Sequence, residues 1–462
     1  MGPKSKHPQT NDLFLQLLVE LVNLNHPLVK LAELIDWSVF ETRWSAFFPS
    51  KTGRPANSPR LIAGLLYLQH TFACSDEKLL ATWIENPYWQ HFCGETYFQH
   101  QLPIDSSSLT RWRQRIGEEG VEWLLTETIE AARRGKVVKE KSFDKIIVDT
   151  TVMEKAIAYP TDSRLFERAR QHLVKLAGLL GIKLRQNYNR QAPYLTLKIG
   201  RYAHARQFKR MKAALKALRT RVGRVWRDID RQLDRSDATT ADRAESILER
   251  VKRVLTQQQK DKNKLYSLHA PEVECISKGK VRQRFEFGVK VMVATTHKEG
   301  LVVGIRSMPG NPYDGHTLPE AIEQISILTD HPPKTVFVDK GYRGVEIPGI
   351  TIWRSGQKRG VTPRIKKQIL RRSAIEPAIG HMKNDGRLRR NWLKGAIGDA
   401  LHAVLCGAGH NLRMILRALR LFCAFFWWSC LLRTGLKQFA AIGSKCWALA
   451  VLTFRLKRVV QG

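Results

Sequence analysis

Asp339 closes a short apolar run, Thr335 to Val338, that is β-branched and aromatic, follows Pro332-Pro333 and is cut off by Gly341. Such a run predicts a buried strand. A carboxylate where that strand stops, followed by Lys340, Gly341 and Arg343, is placed to face a ligand. It is equally placed to cap the next turn, a common use of Asp. Asp149 sits inside a second run, Lys145 to Met153 (K-I-I-V-D-T-T-V-M). Asp is disfavoured in strand interiors and costly to bury without a partner or metal, so a purely structural reason for it is harder to find. Glu376 falls in a helical segment from about Pro363 to Arg390. Arg372, Glu376 and Lys383 share one face of that segment at 3.6 residues per turn. On a solvated surface the same spacing makes an ordinary i,i+4 ion pair. Pro377 allows a kink or a local boundary there.

Three acids on two strands and a helix meet the needs of a two-metal phosphoryl-transfer site. Mg²⁺, or Mn²⁺ in its place, takes oxygen ligands and keeps several waters, so a few carboxylates suffice. Two such ions about 3.5–4 Å apart activate an attacking oxygen and steady a leaving one. Asp149, Asp339 and Glu376 are thus the expected catalytic and metal-binding residues. Arg372, Lys383 and Arg343 are the expected phosphate contacts, with Arg able to bind bidentately.

The charge balance points to a polyanion. The 462 residues carry 77 Lys and Arg against 42 Asp and Glu, a net +35, with a pI near 10.2. This is a footprint of nucleic-acid binding, although ribosomal and membrane-surface proteins share it. Apolar and charged contents of 43% and 26% are those of globular domains. The seven cysteines form no C-x-x-C pair and no zinc-type spacing, and read as core thiols in a reducing compartment. Met-Gly-Pro-Lys-Ser-Lys-His-Pro contains no apolar signal region. The apolar run Leu421 to Leu432 is too short for a membrane span, which needs about 20 residues.

Four segments are expected. Residues 1–135 are a helical N-terminal, DNA-binding domain, with helices over Leu13–Leu24, Leu28–Phe40, Leu61–Phe72 and Ser75–Glu85. Within it, Asp105–Ile116 predicts a short helix displaying Arg111, Arg113 and Arg115. These residues either reach DNA in a helix-turn-helix-like arrangement or form a solvated face while Leu109, Trp112 and Ile116 pack inward. Residues 140–162 and 270–415 supply a mixed sheet flanked by helices. Between them, 163–269 is a basic helical interruption. Its apolar seam, Met211, Leu215, Leu218, Val222, Val225, Ile229 and Leu233, predicts a coiled-coil-like hairpin. Phe285–Thr295 alternates with one better-buried face, Leu301–Arg306 is the next strand, and Thr317–Leu328 is a helix preceded by Asp314 and His316. Leu401–Arg420 is amphipathic and expected to pack on the core. Residues 416–462 form an apolar and basic tail.

With these motifs in order, the sequence resembles the DDE transposases of bacterial insertion sequences, in the insertion-sequence-five and insertion-sequence-four-like group. The matching pieces are V-D-T-T-V around Asp149, V-D-K-G-Y-R-G around Asp339, and R-x3-E-x6-K at Arg372, Glu376 and Lys383. A-Y-P-T-D at Ala158–Asp162 and G-N-P-Y-D-G-H-T-L at Gly310–Leu318 add to them. The related family signature has Tyr three residues before the Arg; here Ile369 stands there, and any role of that Tyr is missing. The likeness covers roughly residues 55 to 415. Each motif alone is weak, whereas the ordered set is specific.

The resemblance implies a ribonuclease-H-like α/β core whose triad maps onto Asp149, Asp339 and Glu376. It implies binding of terminal inverted repeats, cleavage and strand transfer on double-stranded DNA, a homodimer on that DNA, and a bacterial cytoplasmic, nucleoid-associated location with no membrane partner. Two other readings stay open: a DNA-binding protein with no catalysis, and a nuclease that cuts without joining.

Overall fold

The computed structural model describes residues 16–48, 56–234, 238–277 and 284–433. Helices carry the first part of the chain: α1 (Leu18–Leu21), α2 (Pro27–Leu34), α3 (Ser38–Trp44), α4 (Pro59–Thr71), α5 (Asp76–Glu85), α6 (Pro87–Phe92) and α7 (Ser106–Arg134). Their starts follow from capping side chains. Ser75 accepts from the Lys78 amide, Asn86 from those of Tyr88 and Trp89, and Asp105 from that of Ser107.

Two helical expectations change here. Of Leu13–Leu24, only α1 forms within the described residues. Leu28–Phe40 divides into α2 and α3, because Asp36 turns the chain by accepting from the Ser38 amide (3.1 Å). The helix expected over 105–116 is the first arm of α7, which bends at Gly117 (φ 61°, ψ −164°), a conformation open to glycine.

The described chain divides into two compact units. The first holds the described residues up to Asp144, Lys298–Val303, and the last helix from Gly407 onward. That helix is α15 (Gly395–Arg433), numbered after α8 to α14, which are given below. Its Asn411 accepts from the Val302 amide (2.8 Å), donates to the Val302 carbonyl (2.8 Å) and donates to Thr128 (3.0 Å). From Gly407 onward it therefore belongs with the N-terminal helices, whereas Leu401–Arg420 was expected to pack on the core. α15 also runs past the expected boundary at residue 416, and residues 434–462 lie outside the described chain. The core of this unit is aromatic, with Phe40, Trp44, Tyr67, Trp83 and Phe92 all buried.

The second unit is built on a mixed sheet: β1 (Lys145–Lys155), β2 (Glu274–Ser277), β3 (Phe285–Thr296), β4 (Val302–Met308), β5 (Thr335–Val338), β6 (Thr351–Arg354) and β7 (Arg390–Asn391). Its order is β2-β3-β1-β5-β6, with β4 on β3 and β7 on β1. β1 runs antiparallel to β3 and parallel to β5, and β5 runs parallel to β6. β3 is flanked on both sides, so Gly288, Lys290 and Met292 are buried as well as Val289, Val291 and Val293, and the expected one-sided burial does not hold.

Between β1 and β2 lie α8 (Asp162–Leu179), α9 (Gln191–His204), α10 (Phe208–Gln232) and α11 (Ala238–Thr256). The expected seam on α10 is buried from Leu218 through Val222, Val225 and Ile229, packed among Leu173, Ala177 and Val251. Four helices close around it instead of a hairpin. The two ends of this excursion meet at Lys155, whose ammonium lies 2.8 Å from Glu272 and 2.8 Å from Asp399. The remaining helices are α12 (Leu318–Thr329), α13 (Pro363–Leu370) and α14 (Ile375–Asp385). Among the described residues no helix is long and apolar enough to cross a membrane.

Candidate active site

Strand register brings the two aspartates together. Lys145 pairs with Thr335, Ile146 with Val336 and Ile147 with Phe337. Carried two residues onward, past the end of β5, the same offset points from Asp149 to Asp339. Val148 and Val338 are buried immediately before them, and both carboxylates emerge partly exposed. Asp149 Oδ1 accepts from the Thr150 amide and Asp339 Oδ1 from the Gly341 amide, each at 2.8 Å. The turn-capping use of Asp339 is thus real, and it occupies one oxygen of two.

Glu376 arrives by a broken helix. α13 stops at Leu370, a short 3-10 turn spans Arg371–Ala374, and α14 begins at Ile375. The break lies upstream of Pro377, because Pro lacks the amide that a continuous helix would need and is tolerated in the first turn. The turn is anchored to the sheet. Arg371 Nε donates to the His297 carbonyl (2.9 Å), the His297 ring donates to the Gln368 carbonyl (2.9 Å), and Lys145 donates to the Gln368 side chain (3.2 Å). Those anchors fix Arg372, which donates to Asp149 Oδ2 (3.2 Å) and to Glu376 Oε1 (3.0 Å). One guanidinium therefore draws two of the three acids toward a single positive charge. Glu376 remains 63% exposed on its side chain.

A further carboxylate stands close by. Asp314 Oδ1 accepts from Thr150 Oγ1 and from Lys290 Nζ, both at 3.0 Å. A Cβ at Gly341 would lie 2.9 Å from Asp339 Oδ1 and 3.3 Å from Asp314 Oδ2, so glycine is what lets these side chains approach. Tyr342 is fully buried. Burial first, then the charges of Asp149, Asp314 and Asp339, push its hydroxyl pKa well above the ordinary range and keep it protonated. The all-oxygen donor set suits a hard divalent cation.

Comparison with known proteins decides the family. Residues 16–115 match a family model described as a transposase domain (DUF772), and residues 237–406 match the transposase DDE domain. A Rhizobium meliloti protein described as "Uncharacterized protein ORF8 in nfe locus" is 47% identical over 208 residues, 45% of this chain and all of that protein. The chain belongs to the DDE transposases of insertion sequences. No solved structure matches it. The DDE match takes in Asp339 and Glu376 and begins after Asp149, beyond most of the helical excursion.

In this transposase the remaining expected residues are scattered. Arg343 is exposed just past Asp339, and Lys383 is half-buried on α14, two turns after Glu376. Arg111 and Arg115 are exposed on the first arm of α7, in the other unit. Arg113 is a correction. It is 3% exposed and donates to Asp76 (2.7 and 3.0 Å) and Gln69 (2.7 Å). Its helical position falls on the stripe of Leu109, Trp112 and Ile116, so it faces inward and needs Asp76 to be buried at all. His316 is exposed against Tyr313, with ring centroids 5.5 Å apart. Sequence reasoning noted Asp314 only as preceding the Thr317–Leu328 helix and missed Lys290, His297 and Tyr342. Lys290 carried a signal, since a lysine between Val289 and Val291 within an apolar strand calls for a buried partner.

Proposed function

We propose that this transposase binds the terminal inverted repeats of its element, cuts phosphodiester bonds there and joins the freed 3′ ends to target DNA, with Asp149, Asp339 and Glu376 as its metal-binding acids. The observation that carries this reading is the parallel register of β1 on β5, Lys145 with Thr335 to Ile147 with Phe337, which continued at the same offset leads to Asp149 and Asp339. Glu376, linked to Asp149 through Arg372, adds to it. On this reading the sheet is a ribonuclease-H-like core, and α8–α11 are a helical insertion into it.

Divalent cations held by these carboxylates, Mg²⁺ or Mn²⁺, would activate the attacking oxygen and stabilise the leaving one. The chain's own residues do the rest. Arg372 holds Asp149 and Glu376 together before DNA arrives, then turns its planar fork to a phosphate. The His297, Gln368 and Lys145 anchors keep the α13–α14 turn against the sheet while Arg372 changes partners. Tyr342 stays neutral beneath the acids and adds no negative charge. Arg343 and Lys383 neutralise flanking phosphates, and Arg111 and Arg115 in the helical unit also contact DNA. Two element ends call for two copies of the chain, acting in the bacterial cytoplasm at the nucleoid.

The test is strand transfer of labelled terminal-repeat DNA in Mg²⁺. Joined product from the native chain and its loss in Asp339→Asn support the proposal. Full activity in that variant overturns it, and cleavage without joining leaves a nuclease.

A further inference from the structure

We propose that Asp314 is a fourth acidic ligand of the same centre, sharing a divalent cation with Asp339; this rests on the reading given under Proposed function. Asp314 lies on the short turn Asp314–Thr317 between β4 and α12. Its Oδ1 is held by Thr150 and Lys290. Thr150 follows Asp149 on β1, and Lys290 lies on the neighbouring β3, so two strands aim this carboxylate. Its Oδ2 lies 3.3 Å from where a Cβ on Gly341 would stand, and Asp339 Oδ1 lies 2.9 Å from the same point.

A second observation comes from Tyr342. Its hydroxyl is buried and finds no well-formed hydrogen bond among the described residues. The Thr317 hydroxyl beside it donates instead to the Asp314 carbonyl at 2.7 Å. The phenol group lies within electrostatic reach of Asp149, Asp314 and Asp339, where an oxygen of a cation's water shell would satisfy it.

The competing role for Asp314 is to neutralise Lys290, which is 8% exposed and needs a counter-charge. That role accounts for Oδ1. It does not account for Oδ2, which with Asp339 Oδ1 borders the space a Cβ on Gly341 would fill; like charges gathered there without a cation repel.

The experiment is Mn²⁺ binding to the full chain without DNA, followed by electron paramagnetic resonance. The variants are Asp149→Asn, Asp339→Asn and Asp314→Asn, the last of which keeps a hydrogen-bond acceptor in place. The proposal expects Asp314→Asn to weaken Mn²⁺ binding by at least about tenfold, as Asp339→Asn does. Native-like affinity in Asp314→Asn, with loss in the other two, overturns the proposal and leaves the catalytic reading standing. Native-like affinity in all three removes the centre itself. Should Asp314→Asn fail to fold, iron-generated hydroxyl-radical cleavage of the native chain decides: cuts near Asp314 support the assignment, and cuts confined to the Asp149 and Asp339 strands overturn it.

Discussion

Arg372 donates to Asp149 at 3.2 Å across 223 residues of sequence. The same guanidinium reaches Glu376 at 3.0 Å, so the fork, not the charge alone, makes the link. A lysine offers a point charge in its place. Arg372→Lys is expected to lower single-turnover strand transfer by roughly 10²-fold. Because Glu376 is largely exposed, the melting temperature should move little. Gel-resolved kinetics beside a circular-dichroism melt measures both.

Gly341 leaves room for two carboxylates by having no side chain. In Gly341→Ala the new methyl group would press on Asp339 Oδ1 and Asp314 Oδ2 at 2.9 and 3.3 Å. The carboxylates must shift, and misplacements of about 1 Å at a reacting centre cost on the order of 10²-fold. We expect cleavage to fall by that order while DNA binding, measured by gel shift, stays native.

Arg113 and Arg115 are neighbours on α7 with opposite fates. Arg113→Ala removes the charged partner of Asp76, which keeps Gln69, and should destabilise the helical unit by about 1–3 kcal/mol. Its folded fraction should bind DNA with the native salt slope. Arg111→Ala and Arg115→Ala should leave the denaturation midpoint in place and each reduce the slope of log affinity against log salt by about 0.9. Fluorescence anisotropy over a salt series separates the two classes. An unchanged slope in both exposed variants would remove them from the DNA interface.

Glu127 gives the helical unit a pH dependence. Burial raises its pKa to about 7, against the opposing pull of the Asp36 amide and Arg134. The folded chain therefore holds a proton between the ordinary value of 4.5 and about 7 that the unfolded chain has lost. Stability contributed by this group is present below that window and is lost as pH rises through it, at most about 3 kcal/mol. Hydrogen exchange of α7 amides should show greater protection at pH 5 than at pH 8. Glu127→Gln should flatten the difference.

What could be read in advance follows from how local each signal is. Thr335–Val338 and Lys145–Met153 announce strands because their apolar, β-branched runs are self-contained, and Ser75 announces a helix start because a cap acts on its own neighbours. The α10 seam was visible for the same reason. The number of helices closing on it was not, since that depends on partners elsewhere in the chain. Arg113 was misjudged because its stripe is defined by what packs on α7. Asp314 became meaningful only once β1 and β3 had brought Thr150 and Lys290 beside it. The break before α14 was visible as Pro377, but its position upstream was set by the His297 and Lys145 anchors.

Lys155 fastens both ends of the excursion to one ammonium, with Glu272 and Asp399 as its counter-charges. The four-helix bundle is thus riveted to the sheet at Lys155, beside the packing of Tyr159 and Tyr266 on Phe287. Chain-closure cost grows only with the logarithm of length, so the bundle behaves as a cassette. Lengthening or exchanging it would reshape the surface offered to nucleic acid and leave the spacing of Asp149 and Asp339 as it is.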